Sequence, residues 1–224
     1  MTTAATVATT VTITTVQPAG PAERAEREDT RARILAEAVE LFAANGFAST
    51  STRELAEHMG FTTAALYYHF RTKDDLLAAL VEPIADQIAA LTAAPRHHGD
   101  AGRRDLLAGY LDLVAAHRRV IRVLYQDPAV GRNEKVRAVA RQGYAPLVEA
   151  LRVPGQDPVT ARTRVRAALG SIHAALRDDI PAEDVPLVRA AALVAACGAL
   201  GIRPSSAAHT VSAVPLPPQP STTD

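Results

Sequence analysis

Apolar side chains recur every three or four residues along most of the chain, and short polar, glycine- or proline-containing stretches separate these runs. This spacing places the apolar side chains on one face of a helix. Helices are predicted near residues 31–45, 52–59, 63–70, 74–91, 103–117, 118–125, 132–152, 158–177 and 184–200. Gly46 and Gly60 end two of them, Ser51 or Thr52 caps the second, and Pro83 is expected to bend the fourth.

Composition agrees with an all-α fold. The chain is rich in alanine, lacks tryptophan and has only 4% aromatic residues, whereas sheets favour β-branched and aromatic side chains. The single cysteine, Cys197, cannot form an internal disulfide, which favours a reducing compartment. Without a signal peptide or a charge-free apolar run of about 18 residues, we expect a soluble, cytoplasmic protein with no membrane partner.

Both ends of the chain differ from the helical body. Residues 1–22 are rich in threonine and end in proline and glycine, and residues 203–224 carry repeated prolines. Such segments cannot bury enough apolar surface to fold, so we expect a disordered arm at 1–22 and a disordered tail at 203–224.

Two short helices separated by residues 60–62 and preceded by a third have the spacing of a helix-turn-helix. The second short helix of that unit enters the major groove of DNA, so its first exposed side chains face the base edges. Here these are Thr62, Thr63, Ala64 and Ala65. The polar aromatic side chains at the end of the helix, which can donate to phosphates, are Tyr67, Tyr68 and His69.

Residues 52–76, TRELAEHMGFTTAALYYHFRTKDDL, resemble the DNA-binding signature of TetR/AcrR-type transcriptional regulators. The specific part is Leu-Tyr-x-His-Phe-x-x-Lys at residues 66–73, and residues 42–47 resemble the end of that family's first helix. Met59 replaces the usual alanine, and Ala64 stands where glycine is frequent. The resemblance covers roughly residues 30–80, and the later helices match only in number and length.

The resemblance implies roles for individual residues. Thr52, Tyr67, His69 and Lys73 would contact phosphates, and Arg53, Thr62, Thr63 and Ala64 would lie nearest the bases. One property is unusual for a DNA-binding domain: residues 23–75 hold seven basic and ten acidic side chains, a net charge of minus three. We therefore expect the acidic side chains to point away from the DNA or into helix first turns.

The leading hypothesis is a two-domain regulator: a helix-turn-helix domain at residues 23–80 and a larger helical effector-binding and dimerisation domain at 81–202. It would be a small-molecule-responsive repressor that binds a palindromic double-stranded operator as a homodimer. One alternative is a ligand-independent architectural DNA-binding protein. Another is a helical enzyme using His117 or His173, although the chain lacks the common nucleotide-binding, hydrolase and metalloprotease motifs, so no enzyme is expected.

An effector pocket needs a few polar groups among apolar ones. Polar residues interrupt the apolar faces of the middle helices at Tyr110, His117, Arg122, Tyr125, Gln126, Tyr144 and His173. The alternative is that these side chains face solvent. Since only three aromatic residues follow Phe70, the pocket should suit an aliphatic or compact, modestly polar ligand.

The last two helices carry small side chains on broad faces, which is expected of a four-helix interface between two subunits. The residues on these faces are Ala167, Ala168, Ser171, Ala174, Ala175, Leu187, Ala191, Val194, Ala195 and Gly198. No cofactor is expected. No metal site is expected either, because His97, His98 and Asp100 lie in a loop and neighbouring histidines cannot both point inward from a helix.

Overall fold

The computed structural model describes residues 20–177 and 179–202. Over these residues the chain folds into ten α-helices. They are α1 (Pro21–Asn45), α2 (Thr52–His58), α3 (Thr63–His69), α4 (Lys73–Ala93), α5 (Gly99–Ala116), α6 (Arg118–Gln126), α7 (Pro128–Arg132), α8 (Glu134–Leu151), α9 (Pro158–Ala175) and α10 (Val185–Leu200). The all-α prediction is confirmed.

Short polar caps set the starts of the helices in the N-terminal part. The Ser51 hydroxyl accepts from the Glu54 N–H at 3.1 Å, and the Glu54 carboxylate accepts from the Ser51 N–H at 2.7 Å. Thr62 caps α3 in the predicted way, accepting from the Ala65 N–H at 3.1 Å. Thr72 caps α4, so that helix begins at Lys73 rather than at residue 74. It continues through Pro83 to Ala93.

Helix α1 begins ten residues earlier than predicted. The Glu23 side chain accepts from the Gly20 N–H at 3.2 Å, and Pro21 occupies the first helical position, where its missing N–H costs nothing. Pro21 and Ala22 therefore belong to α1, which corrects the disordered arm predicted for residues 1–22. Residues 1–19 and the predicted tail at 203–224 lie outside the described residues.

Two further boundaries differ from the prediction. Helix α5 starts at Gly99, four residues before the predicted start at residue 103. A five-residue helix, α7, lies between the helices predicted near residues 118–125 and 132–152, because the Asp127 carboxylate accepts from the Ala129 N–H at 2.8 Å and caps it. Neither segment has enough apolar positions to show helical periodicity in the sequence.

Two hydrophobic clusters share α4. The first joins Phe42 of α1, Leu55 of α2 and Leu66 of α3 to residues 76–81 of α4. The second begins at Ile84 and extends through α5, α8, α9 and α10. Helices α6 to α8 also supply Val123, Val130 and Val136 to the first cluster. This cluster therefore contains residues from before and after the predicted domain boundary at residue 80. The boundary stays a prediction.

Helices α4 and α8 form one of the two most extensive helix pairs, the other being α9 with α10. Their backbones approach closely at Gly143, where a Cβ atom would lie 2.7 Å from the Ala85 carbonyl oxygen. Within the described residues, α4 is also the one helix long and apolar enough to cross a membrane. Half of its apolar stretch is buried inside the protein, so α4 is a central core helix here.

Candidate functional site

Helix α3 presents nearly all of its surface outward. Only Leu66 is buried, whereas the side chains of Tyr67 and Tyr68 are 46% and 64% exposed. Ala64 and Ala65 are also exposed, and Thr63 and His69 are half-buried. Together with its exposed cap residue Thr62, this helix therefore offers two threonines, two alanines and two tyrosines to a partner, as the helix-turn-helix prediction requires.

Two predicted DNA-contacting residues bond to each other across α2 and α3, and a third pairs with a carboxylate on its own helix. The hydroxyls of Thr52 and Tyr67 lie 3.2 Å apart, which fixes the Tyr67 ring relative to the start of α2. Arg53 donates to Glu57 at 2.7 Å, and this carboxylate raises the pKa of Arg53. Because both partners are well exposed, the ion pair is weak and the guanidinium can exchange Glu57 for a phosphate.

Lys73 requires a correction. Its ammonium nitrogen lies 2.7 Å from the Phe47 carbonyl oxygen, 2.9 Å from that of Thr50 and 3.4 Å from that of Ala48. An ammonium has three N–H groups, so all of them face the loop at residues 46–51, here named the α1–α2 loop. Lys73 therefore holds the loop that precedes α2, and its ammonium is not free to meet a phosphate.

The acidic side chains near the helix-turn-helix are largely engaged. Within the described residues, the pairs are Glu37 with His58, Glu40 with Arg119, Glu54 with the Ser51 N–H, Glu57 with Arg53, and Asp75 with Lys135. Hydrogen bonds from Lys135 and Thr72 lower the pKa of Asp75, and the bond from the Ser51 N–H lowers that of Glu54. The unfavourable net charge of residues 23–75 is thus partly neutralised by these contacts.

Asp127 connects the α1–α2 loop to the C-terminal half. One carboxylate oxygen accepts from the Ala48 N–H at 2.7 Å, and the other accepts from the Ala129 N–H at the start of α7. The bond from Ala48 is the main cause that lowers the pKa of Asp127. One side chain therefore joins residues 79 positions apart in the chain. The sequence carries a local signal for this residue, because aspartate before proline is a recognisable helix cap.

A cavity of about 290 Å³ lies between α4, α6, α7 and α8, and we name it the main cavity. Its lining is mostly aliphatic and consists of Val81, Ile84, Ala85, Ile88, Ile121, Leu124, Tyr125, Val130, Gly131, Val136, Arg137, Ala140 and Tyr144. A second cavity of about 240 Å³ lies between α6 and α9. Tyr125 lines both cavities, so its ring forms part of each wall.

Four of the seven predicted effector residues meet in one hydrogen-bonded group, here named the tyrosine–histidine cluster: Tyr110, Tyr125, Tyr144 and His173. The Tyr110 hydroxyl bonds to His173 Nε2 at 2.7 Å and to the Tyr144 hydroxyl, and the Tyr125 hydroxyl bonds to His173 Nδ1 at 2.5 Å. Tyr110 is only 1% exposed and lies behind the cavity walls. The cluster therefore supports the cavity lining from within.

Burial governs the ionisation of this cluster. It lowers the pKa of His173 to about 4, which keeps the imidazole neutral near pH 7. It also raises the pKa values of Tyr110, Tyr125 and Tyr144. These surroundings penalise any charged group, including one on a bound molecule.

The other three predicted effector residues lie elsewhere. His117 bonds to Gln87 at 3.0 Å and lines a separate groove beside α1, and Gln126 is exposed and outside both cavities. The structure does not bring these two residues to the tyrosine–histidine cluster or to either cavity, and their effector role stays a prediction. Arg122 lines the second cavity and donates to Asp179 at 2.9 Å. Arg137, at the edge of the main cavity, was missed.

The predicted dimer residues divide by exposure. Ala168 is fully buried in the core of its own chain, so it cannot reach another subunit, which corrects that prediction. Ser171 and Ala175 are half-buried. The exposed members are Ala167, Ala174, Leu187, Ala191, Val194, Ala195 and Gly198, and we name these seven the small-residue face. They lie on α9 and α10, with Leu187 and Val194 60% and 58% exposed.

No group of three or more histidine, cysteine or carboxylate side chains lies in metal-binding proximity among the residues that the structure describes. Of the loop histidines considered, His97 pairs with Asp105 at 2.8 Å, and His98 precedes α5. The buried thiol of Cys197 has a raised pKa because of desolvation, which makes it a poor nucleophile.

Comparison with known proteins agrees with this geometry. The family model described as bacterial regulatory proteins, tetR family, matches residues 34–80. The HTH-type transcriptional regulator AcrR of Shigella flexneri is 39% identical over 64 residues, covering 29% of this chain and 30% of that protein. The HTH-type transcriptional repressor Rv1474c of Mycobacterium tuberculosis is 33% identical over 105 residues, covering 46% of this chain and 55% of that protein.

A solved structure extends the likeness. The crystal structure of Mycobacterium smegmatis AmtR is 28% identical, covers 84% of this chain and all of that chain, and superposes with a TM-score of 0.55. In contrast, the chain spans about half or less of the length of the curated relatives it matches. These relatives are named as transcriptional regulators, not as enzymes. Residues 34–80 therefore carry a helix-turn-helix that matches the tetR family of bacterial regulatory proteins.

Proposed function

We propose that this protein is a cytoplasmic, small-molecule-responsive repressor that binds a palindromic operator as a homodimer. The observation that carries the proposal is the position of Asp127. It follows directly on α6, which lines the main cavity, and it holds the Ala48 N–H in the loop before α2. Occupation of the cavity and the placement of the helix-turn-helix thus depend on the same short segment.

The switch follows from this connection. A molecule in the main cavity displaces α6 outward, because α4 and α8 form one of the two most extensive helix pairs and are held together by that packing. Movement of α6 shifts Asp127 and strains its bond to Ala48. The effector favours release of DNA only if it binds the conformation with misplaced α3 helices more tightly.

The cavity also indicates the effector class. Its walls are mainly aliphatic, and burial of the tyrosine–histidine cluster penalises charge. Tyr125 and Tyr144 line the cavity and carry hydroxyls, which bond within the tyrosine–histidine cluster. We therefore expect a compact, neutral, mainly apolar effector that carries one or two polar atoms.

Operator binding tests the roles on α3. Tyr67→Phe removes the hydroxyl that bonds to Thr52, and binding should weaken about tenfold for all duplexes alike, because a phosphate contact carries no sequence information. Thr63→Val should instead change the preferred sequence, through contacts worth about 1–3 kcal/mol per base pair. Fluorescence anisotropy on a duplex selected by the wild type and on a scrambled duplex separates these effects.

The matched control is Tyr125→Phe, which removes a tyrosine hydroxyl far from α3 and should leave DNA affinity unchanged without an effector. Equal affinity of wild type and Tyr67→Phe for both duplexes would contradict the phosphate role. An unchanged sequence preference of Thr63→Val would contradict the base-reading role.

Effector control is tested with neutral ketones, esters and lactones paired with carboxylate analogues of the same length. The neutral members should raise the melting temperature and weaken operator binding. Asp127→Asn should weaken operator binding about tenfold without any effector, because its single amide oxygen cannot accept from both Ala48 and Ala129. Asp157→Asn, at a helix cap with no bond to the loop, is the matched control and should bind DNA normally.

Two outcomes would contradict the switch. If stabilising compounds leave operator affinity unchanged, the protein binds DNA without effector control, as an architectural protein does. If Asp127→Asn and Asp157→Asn bind DNA equally, the contact between α7 and the α1–α2 loop does not carry the signal.

A further inference from the structure

The N-terminal part of α1 extends the exposed surface of α3. Residues 21–33 precede the family match and add about 20 Å of helix at 1.5 Å per residue. No residue of α1 before Ile34 is buried. A helix that buries nothing gains little from packing, so this segment has no evident role in the core.

Arginines occupy one face of this segment. Arg24, Arg27 and Arg31 are spaced i, i+3 and i+7, which places them on one helix face, in line with the buried residues further along α1. By the same spacing Glu26 and Asp29 lie on the far side, and Glu28 flanks the arginine face. Glu23 bonds to the Gly20 N–H. The arginine face is therefore predominantly basic.

Two of these arginines lie against the end of α3. The Arg27 guanidinium lies 4.7 Å from the centre of the exposed Tyr68 ring, and that of Arg31 lies 5.1 Å from the Phe70 ring. Neither forms an ion pair or a hydrogen bond with any residue in the described part of the chain. A guanidinium stacked on a ring keeps its N–H edges free to donate, so these two arginines are positioned beside α3 with unused donors.

The His69 imidazole lies close enough to Arg27 and Arg31 for their charges to affect its pKa. His69, whose ring meets that of Tyr68 edge to face, has its pKa lowered by burial and then by Arg27 and Arg31. Its neutral form leaves the arginines as the cationic groups at this end of α3. Tyr67, on the same helix, is also proposed to contact a phosphate.

We propose that Arg27, held on the Tyr68 ring, is a DNA-backbone contact that adds the N-terminal turns of α1 to the operator interface. This inference rests on the proposed DNA-binding function. The partner is a phosphate on the strand that borders the groove entered by α3. Arg31, which lies over the Phe70 ring, is placed to contact the same DNA strand. Sequence-independent contact is the expected consequence, because a phosphate looks the same beside every base.

The test compares full-length variants on a duplex selected by the wild type from a random pool and on a scrambled duplex. Arg27→Ala should bind both about tenfold more weakly, and its plot of log affinity against log salt should be shallower by about one per protomer. Arg27→Lys should keep the salt slope. The melting temperature should not change, because Arg27 is exposed. Arg141→Ala, which removes an exposed arginine of α8, is the control for net charge.

The possible failures are distinguishable. If the wild type selects no sequence, the proposed function fails. If the wild type binds and Arg27→Ala behaves like Arg141→Ala, only the role of α1 is overturned. If Arg27→Ala loses affinity for the selected duplex alone with an unchanged salt slope, Arg27 reads a base edge and the phosphate contact is overturned.

Discussion

Lowering the pH from 7 to 4 is expected to cost the folded state about 3 kcal/mol through His173 alone, with more than half of the loss present at pH 5. Burial lowers the pKa of His173 from 6.5 to about 4. Between these two values the unfolded chain binds a proton that the folded protein does not. Stability therefore decreases as the pH falls through this window, and it is fully retained above it.

Urea unfolding at fixed protein concentration measures this loss. His173→Gln can still bond to the Tyr110 and Tyr125 hydroxyls but does not titrate, so its free energy of unfolding should vary less between pH 7 and pH 5. His98→Gln is the matched control, because His98 is exposed and outside the cluster. If all three proteins show the same pH dependence, His173 is not buried in its neutral form.

A charged side chain on the small-residue face should convert a dimer into monomers and weaken operator binding about 100-fold, since the two α3 helices would no longer bind as a linked pair. Gly198→Glu is the sharpest variant, because a Cβ atom at Gly198 meets nothing within 4 Å and the glutamate fits the isolated subunit. Ala191→Glu places a charge about two turns away on the same face.

Analytical ultracentrifugation at micromolar concentration gives the oligomeric state. Ala145→Glu introduces the same charge at an exposed position of α8 and should leave the dimer intact. A wild type that sediments as a monomer, or a Gly198→Glu variant that remains dimeric, would exclude this face as the subunit interface.

The helix-turn-helix was predictable because its signals are local. Ser51, Thr62 and Gly60 mark helix ends within a few residues of the chain, and Leu55 and Leu66 repeat at helical spacing. The start of α1 was missed for the opposite reason: no residue before Ile34 is buried, so the helix there has no hydrophobic pattern. Caps at Gly20 and Pro21 were the available signal.

The residues of the candidate site were predictable only where their polar side chains interrupt an apolar helix face. Tyr110, Tyr144 and His173 stood out as polar groups among apolar ones, and the structure joins them across as many as 63 positions. The orientation of Lys73 depends on loop carbonyls that no side-chain pattern records. His117 and Gln126 were polar in the same way, yet the faces on which they lie are set by tertiary packing.

The contact at Gly143 has a consequence for how effector preference can diverge among relatives. A side chain at position 143 would meet the Ala85 backbone rather than a flexible group. It could be accommodated only if α8 moved away from α4, the helix that carries Lys73. Ala85 and Ala140 line the same cavity but carry small side chains. Substitutions at Ala85 and Ala140 can therefore change the shape of the cavity for a new ligand, whereas position 143 tolerates only glycine.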